Sequence, residues 1–301
     1  MTRGVSRVSM GTWVEAGRFA RHNVEMTIAE RLGRARTWLR EVGFTGERRA
    51  LALLPLCLFG LLYLVLSVNA EPGWGPALLG LSLSYMIAFF AVAAGWFWAR
   101  WFASGLGWSG FMVGLMALTM FGWHPTLGIY AGLHALVVLL LRGGKMAALY
   151  ELRPEWRARF AMDEFGVARL GKAVTRGAGA LPTLILWALA PREPQGMLAS
   201  LETGVGAAGF VGLALLVVSL VGLVRRRSFA VLALGASMAT VAVGVVLAGG
   251  GLAVPFEATT GGLLTAAGPF VLAPAPVLVL AFLTSAFLPW ARPLARYLGR
   301  R

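Results

Sequence analysis

The sequence predicts an all-α, polytopic integral membrane helix bundle. About eight transmembrane helices are expected, N-in and C-in, with amphipathic interfacial helices at the N-terminus and in the central cytoplasmic loop. Three observations predict it. Of 301 residues 58% are hydrophobic and 13% charged, whereas a soluble domain carries roughly 25% charged residues. The apolar residues come in runs long enough for a hydrocarbon core of about 30 Å, which needs roughly 20 helical residues. The 27 Lys and Arg fall between those runs in a one-sided pattern.

Residues 1–49 form a basic head with ten arginines and five glutamates. Ile28, Leu32, Ala35, Leu39 and Val42 recur at helical spacing, while Arg31, Arg34, Arg36 and Arg40 fall mostly elsewhere. That is an amphipathic helix, supported by Trp13, Phe19 and Trp38, that lies along lipid headgroups or packs on its own protein. A cleavable signal has a short basic start and an apolar core of about 7–15 residues. The long polar head lacks that pattern, so the first span is expected to persist as an anchor.

Eight apolar runs follow. Spans 1–4 occupy 50–141, as Ala50–Val68, Ala77–Ala99, Leu106–Gly122 and Thr126–Leu141. Residues 142–172 form an amphipathic cytoplasmic loop, and spans 5–8 occupy 173–289. Span 5, about Ala173–Ala190, is short and contains Pro182, so it is expected to be irregular or tilted, with Arg176 snorkelling to the interface. Spans 6 and 7 are Gly204–Val224 and Phe229–Ala248, an antiparallel hairpin across a short arginine turn. Run 8 is broken by Pro269, Pro274 and Pro276, which leaves Ala275–Leu288 as its spanning part. Residues 290–301 are a basic cytoplasmic tail. With the N-terminus inside, this division puts 26 of the 27 cations on one side and leaves only Arg192 outside. Cations prefer the cytoplasmic side. Low lysine content, Lys145 and Lys172 alone, fits a high-GC bacterial genome and hence a bacterial inner membrane.

Candidate chemistry is sparse. One cysteine, Cys57, excludes an internal disulfide and a cysteine-rich metal site within the chain. No Asp, Glu, Lys or Arg falls in the middle of an assigned span, which counts against proton or sodium coupling. His134 is the one ionisable group at mid-depth, with Tyr130 a turn before it. It is a weak candidate for a haem or metal ligand or a proton carrier. The structural alternative is a neutral imidazole hydrogen-bonded to a neighbouring helix. Haem would need a second axial ligand that the sequence does not supply, so no cofactor and no metal is expected. Ser109, in GWSG, is set aside as a nucleophile because it lies near the inner end of span 3, whereas His134 lies deep in span 4. Met112, Met116 and Met120 form a row that suits packing better than copper.

Small residues four apart mark faces for close helix contact: Gly110 and Gly114; Gly204, Ala208 and Gly212; Ala236, Thr240 and Gly244. In the central loop Leu149, Leu152, Trp156, Phe160 and Val167 approximate an apolar stripe, read as two short surface helices. Arg153, Arg157, Arg159, Arg169 and Lys172 supply basic faces there. With Trp156, Phe160, Arg34, Arg36 and Arg40 they are the candidate surface for anionic headgroups or a protein partner.

These readings favour a non-catalytic multi-pass protein: a complex subunit, scaffold or regulator that engages a partner, a second copy or anionic lipid at its cytoplasmic face. One alternative is a transporter or flippase component for an uncharged or lipid-like substrate, suggested by the broken eighth and short fifth runs. Another is a lipid-acting membrane enzyme, for which Glu151, Glu155, Asp163, Glu164 and His22 would supply the groups. Nucleic acid is not expected, since glutamates interleave the basic head.

Overall fold

A computed structural model of the chain describes residues 45–71, 73–151, 164–190, 204–225, 227–247 and 275–298. All of them belong to one compact unit, Thr45–Arg301. Among the described residues there are nine helices and no strand: α1 Thr45–Asn69, α2 Gly75–Ala94, α3 Ala99–Phe121, α4 Pro125–Leu141, α5 Gly144–Glu151, α6 Glu164–Leu189, α7 Gly204–Val224, α8 Phe229–Leu247 and α9 Ala275–Leu298.

Five of these helices, α1, α2, α3, α7 and α8, are long and apolar enough to cross a membrane. The count rises to six if α4 and α5, bent by 72° at Arg142–Gly143, are taken as one broken span. The exposed leucines and valines of α1, among them Leu54, Leu58 and Val65, form an outward face suited to lipid chains.

Helix limits differ instructively from the apolar runs. Run 2 does not continue to Ala99. Gly95 takes φ +70° and its amide and that of Trp96 close back on Val92 and Ala91, a left-handed cap that ends α2 at Ala94. Arg100 therefore stands in the first turn of α3 and not in a loop. Likewise Arg48 and Arg49, assigned by composition to the head, belong to α1.

The largest difference concerns span 5. Not among the five helices apolar enough to count as spans, α6 is the hub of the bundle, packing on α2, α3, α7 and α9. From Gly177 to Ala190 its residues are buried, except half-buried Leu186 and Leu189. Its low hydropathy has the same cause: a helix packed on four neighbours is free to use Gly, Ala and Thr, and needs close approach more than greasiness. Gly177 lies against Leu216 and Leu220, Gly179 against the Phe282 ring, and Gly105 of α3 against the Thr175–Gly179 backbone. The helix is continuous through Pro182. It also begins nine residues before the expected start, so Arg169 and Lys172 lie on its first turns and not in a separate loop.

The glycine and serine contacts set the register. Ser82 Oγ donates to the Gly60 carbonyl (2.8 Å), joining α1 and α2. Ser219 and Ser237 join α7 and α8 through the Ala230 and Gly212 carbonyls at 2.8 and 2.7 Å. Gly204, Ala208, Gly212 and Gly244 sit in this α7–α8 seam: Gly204 against Leu247, Gly212 against Val241, Gly244 against Ala208. Ala236 and Thr240 do not. The inward face of α8 is Ala230, Leu234, Ser237, Val241 and Gly244. Ala236 is exposed, and Thr240 bonds its own helix at the Ala236 carbonyl. The four-residue repeat drifted from the 3.6-residue turn, and only its last member fell on the buried stripe.

Candidate functional site

The described cations gather at one end of the bundle. This end collects the starts of α1, α3, α6 and α8 and the ends of α2, α4, α7 and α9. Every Lys and Arg among the described residues belongs to it, and the opposite end, with Glu71 and His124, has none. Part of the charge is structural. Arg48 donates to the Leu139 and Arg142 carbonyls at 3.0 and 2.6 Å. Arg49 donates to Val92 at 2.9 Å and to Ala93. Those are the last carbonyls of α4 and α2, where orphan acceptors and the negative end of the helix dipole favour a cation.

Arg100, Glu151 and Trp101 form a second inner cluster. The Arg100 guanidinium pairs with the Glu151 carboxylate, with Nε at 2.7 Å, and the Trp101 indole N–H donates to the same oxygen at 2.7 Å. Tyr150, fully buried, donates to the Val92 carbonyl at 3.2 Å. Together these bonds pin α5 across the ends of α2 and α3. Arg142, Lys145, Arg169, Lys172, Arg225 and Arg227 are exposed. They form the outward charge of this end.

His134 lies in the interior between α1, α2, α3 and α4 and is fully buried. Its Nδ1 is 2.8 Å from the Tyr130 carbonyl, which can only accept, so Nδ1 carries the proton. In the neutral ring Nε2 is then the acceptor, and the Tyr85 hydroxyl donates to it at 2.7 Å. Phe59 stacks on the imidazole at 4.0 Å between centroids, and Tyr63, Tyr85 and Tyr130 close the aromatic cluster. The fourth wall is Gly110, whose missing side chain is the space the ring fills; a Cβ there would stand inside the imidazole. Gly114 seats Tyr130 and Ala131 in the same way. Both ring nitrogens thus have protein partners, and no lone pair points at a vacant position. The arrangement is that of a packed imidazole hydrogen-bonded at both ring nitrogens.

No known protein family, curated protein or solved structure matches the chain.

Ser109 corrects an argument while keeping its outcome. Because α3 starts at Ala99, Ser109 lies level with His134, next to the glycine under its ring, and not near the inner end. It nonetheless faces α6, one turn beyond Gly105, whereas Gly107, Gly110 and Gly114 face α4. The methionine row lies toward the outside of α3, with Met120 exposed. Among the described residues no group of three His, Cys, Asp or Glu is placed to hold a metal ion. Of the surface candidates, Arg169 and Lys172 are exposed on α6 beside buried Val167, Leu170 and Val174. Arg34, Arg36, Arg40, Arg153, Trp156, Arg157, Arg159 and Phe160 lie outside the described residues.

Arg176 was expected to snorkel outward; instead it turns inward. Its guanidinium donates to the Ser285 carbonyl of α9. That carbonyl has no helical donor, because position 289 is proline and has no N–H. Arg176 stands level with Gly105, six residues or about 9 Å into α3. A cation therefore does sit below the bundle's end, stabilised by a carbonyl that a proline left open. The signal was present in the sequence, but only as two residues 113 positions apart.

A lateral crevice of about 520 Å³ opens between α2 and α7, with α6 as its floor. Its walls are apolar, and the Ser84 hydroxyl in it donates to the Gly80 carbonyl of its own helix. Trp96, Trp98 and Arg225 stand at the end of the crevice that belongs to the basic end.

Proposed function

We propose that this chain is a non-catalytic, multi-pass protein of a bacterial inner membrane that crosses the lipid eight times with both termini in the cytoplasm. In that reading it serves as a subunit, scaffold or regulator, and its basic end engages anionic lipid or a protein partner. The observation that carries the reading is the division of the described cations. Arg48, Arg49, Arg100 and Arg176 are used inside the protein, on helix carbonyls and on Glu151. Arg142, Arg169, Lys172, Arg225 and Arg227 are exposed on the same end. Exposed basic groups beside a bilayer attract anionic headgroups at about 1 kcal/mol each. The eight-fold crossing is supported by the alternation of α1, α2, α3, α4, α6, α7, α8 and α9, and the orientation by the preference of cations for the cytoplasmic leaflet.

Extraction in a mild detergent tests it. The chain should emerge with a stoichiometric partner, as a homo-oligomer, or with retained anionic lipid, and Arg169→Glu with Lys172→Glu should reduce that association. A chain that emerges alone, monomeric and without lipid preference would defeat the reading. A second reading, a transporter or flippase component for a lipid-like substrate, is supported by the apolar crevice between α2 and α7. It predicts lipid movement in reconstituted vesicles that contain this chain alone.

A further inference from the structure

We infer that the crevice between α2 and α7 is a binding site for one anionic phospholipid, an acyl chain lying along α6 and the phosphate at Arg225. The inference deepens the lipid-binding reading above and rests on it, by naming the site and the ligand. Four observations carry it.

The crevice is chemically uniform. Leu83, Ile87, Leu181, Ile185, Val217 and Val221 line it, and the one hydroxyl there is already bonded within α2. An occupant that needs hydrogen bonds would find none, whereas a hydrocarbon chain loses nothing. Its volume lies within the few hundred to about 1,000 Å³ of small-molecule sites and is far below that of a crossing helix, whose diameter is about 10 Å.

Its length fits a chain that enters from one leaflet. The floor runs from Val174 to Leu189, fifteen steps of helix or about 22 Å. Half of a hydrocarbon core is about 15 Å. A chain that enters at the basic end therefore remains in contact with protein past the midplane.

The mouth has the polarity of a headgroup level. Trp96 and Trp98 stand there with ring centroids 5.3 Å apart, and Trp96 is 44% exposed. Tryptophan favours that depth in a bilayer. Arg225, the first residue after α7, closes the same end and is exposed.

The charge has a sign and a source. An arginine guanidinium matches a phosphate in geometry as well as charge. Because the crevice opens sideways between two membrane-length helices, the anion assigned to it is the phosphate of a bilayer lipid.

The test uses the full chain in phosphatidylcholine vesicles doped with a phosphatidylglycerol that carries a photoreactive group at the end of one acyl chain. Labelled peptides are mapped with and without unlabelled competitor. Wild type should label α6 and α7 within the crevice. Unlabelled phosphatidylglycerol should compete better than phosphatidylcholine. Arg225→Ala should lower crevice labelling about fivefold at limiting probe, the effect of one surface cation. Val217→Trp, which fills the crevice, should abolish it while labelling of the outward face of α1 persists. Labelling spread evenly over the outward faces and indifferent to Val217→Trp means annular lipid only, and overturns the inference. So does a crevice that stays unlabelled because another part of the chain occupies it. If Arg169→Ala lowers retained lipid while the crevice variants do not, the basic face recruits lipid and the proposed function survives without this site. No preference for anionic lipid in any variant removes both.

Discussion

At the scale of single residues, the interior is governed by one histidine and one glycine. His134 is satisfied at both nitrogens, by the Tyr130 carbonyl and the Tyr85 hydroxyl, and its ring fills the place of a side chain at Gly110. Both residues were visible in the sequence, one as a lone titratable group and one as half of a common small-residue pair. Nothing in either pattern linked them, because they come from different helices and the link is made by antiparallel register. Tyr85→Phe leaves Nε2 buried without a donor and should cost about 1–3 kcal/mol. Gly110→Ala should cost about as much or more, since overpacking forces the ring or the helix to move. Gly132→Ala, on α4 where an added Cβ meets nothing within 4 Å, should be close to neutral. Thermal unfolding in detergent separates the three. Equal stability of Gly110→Ala and Gly132→Ala would refute the seat.

At the scale of elements, α6 and α9 show why span 5 and run 8 resisted a reading by hydropathy alone. Apolar content measures what a helix would like to give to lipid, and most of α6 is instead covered by the four helices around it. Pro289, in the interior of α9, removes the donor for the Ser285 carbonyl, and Arg176 of α6 supplies a replacement. The two helices are therefore joined by a cation–carbonyl bond as well as by the Gly179–Phe282 contact. Arg176→Leu should destabilise the protein by about 1.5–3 kcal/mol, the range for hydrogen bonds to charged groups. In a Pro289→Ala background the helix closes its own bond, and the same substitution should cost markedly less. A double-mutant cycle measures the difference; identical costs in the two backgrounds would show that Arg176 acts elsewhere.

At the scale of the whole molecule, the bundle has one basic end and one end without described cations. The helix register and the cation pattern agree, although they depend on different residues. The proposed sidedness follows from that agreement and is open to chemical labelling. With Cys57→Ser as background, Trp123→Cys places a thiol on the turn between α3 and α4, where Trp123 is 81% exposed. Ser228→Cys places one on the turn between α7 and α8, at the basic end. In intact cells of a bacterial host an impermeant maleimide should modify Trp123→Cys, and Ser228→Cys only after permeabilisation. The reverse pattern would invert the protein, and labelling of both in intact cells would break the count of crossings.

The sequence by itself determined the all-helical class, five of the membrane-length helices and the segregation of charge, since each depends on local composition and on the thickness of a bilayer. It also marked Gly204, Ala208, Gly212 and Gly244 as small residues on faces for close helix contact, without naming their neighbours. Tertiary structure alone decided that α6 is central, that Arg48, Arg49 and Arg176 serve helix carbonyls, and that Ala236 is exposed while Thr240 bonds its own helix. It alone decided that His134 is a packed, doubly bonded imidazole. Those outcomes depend on which helices are neighbours and at what register. In a chain whose helices are nearly uniform in hydropathy, the differences that choose neighbours are single missing side chains and single open carbonyls.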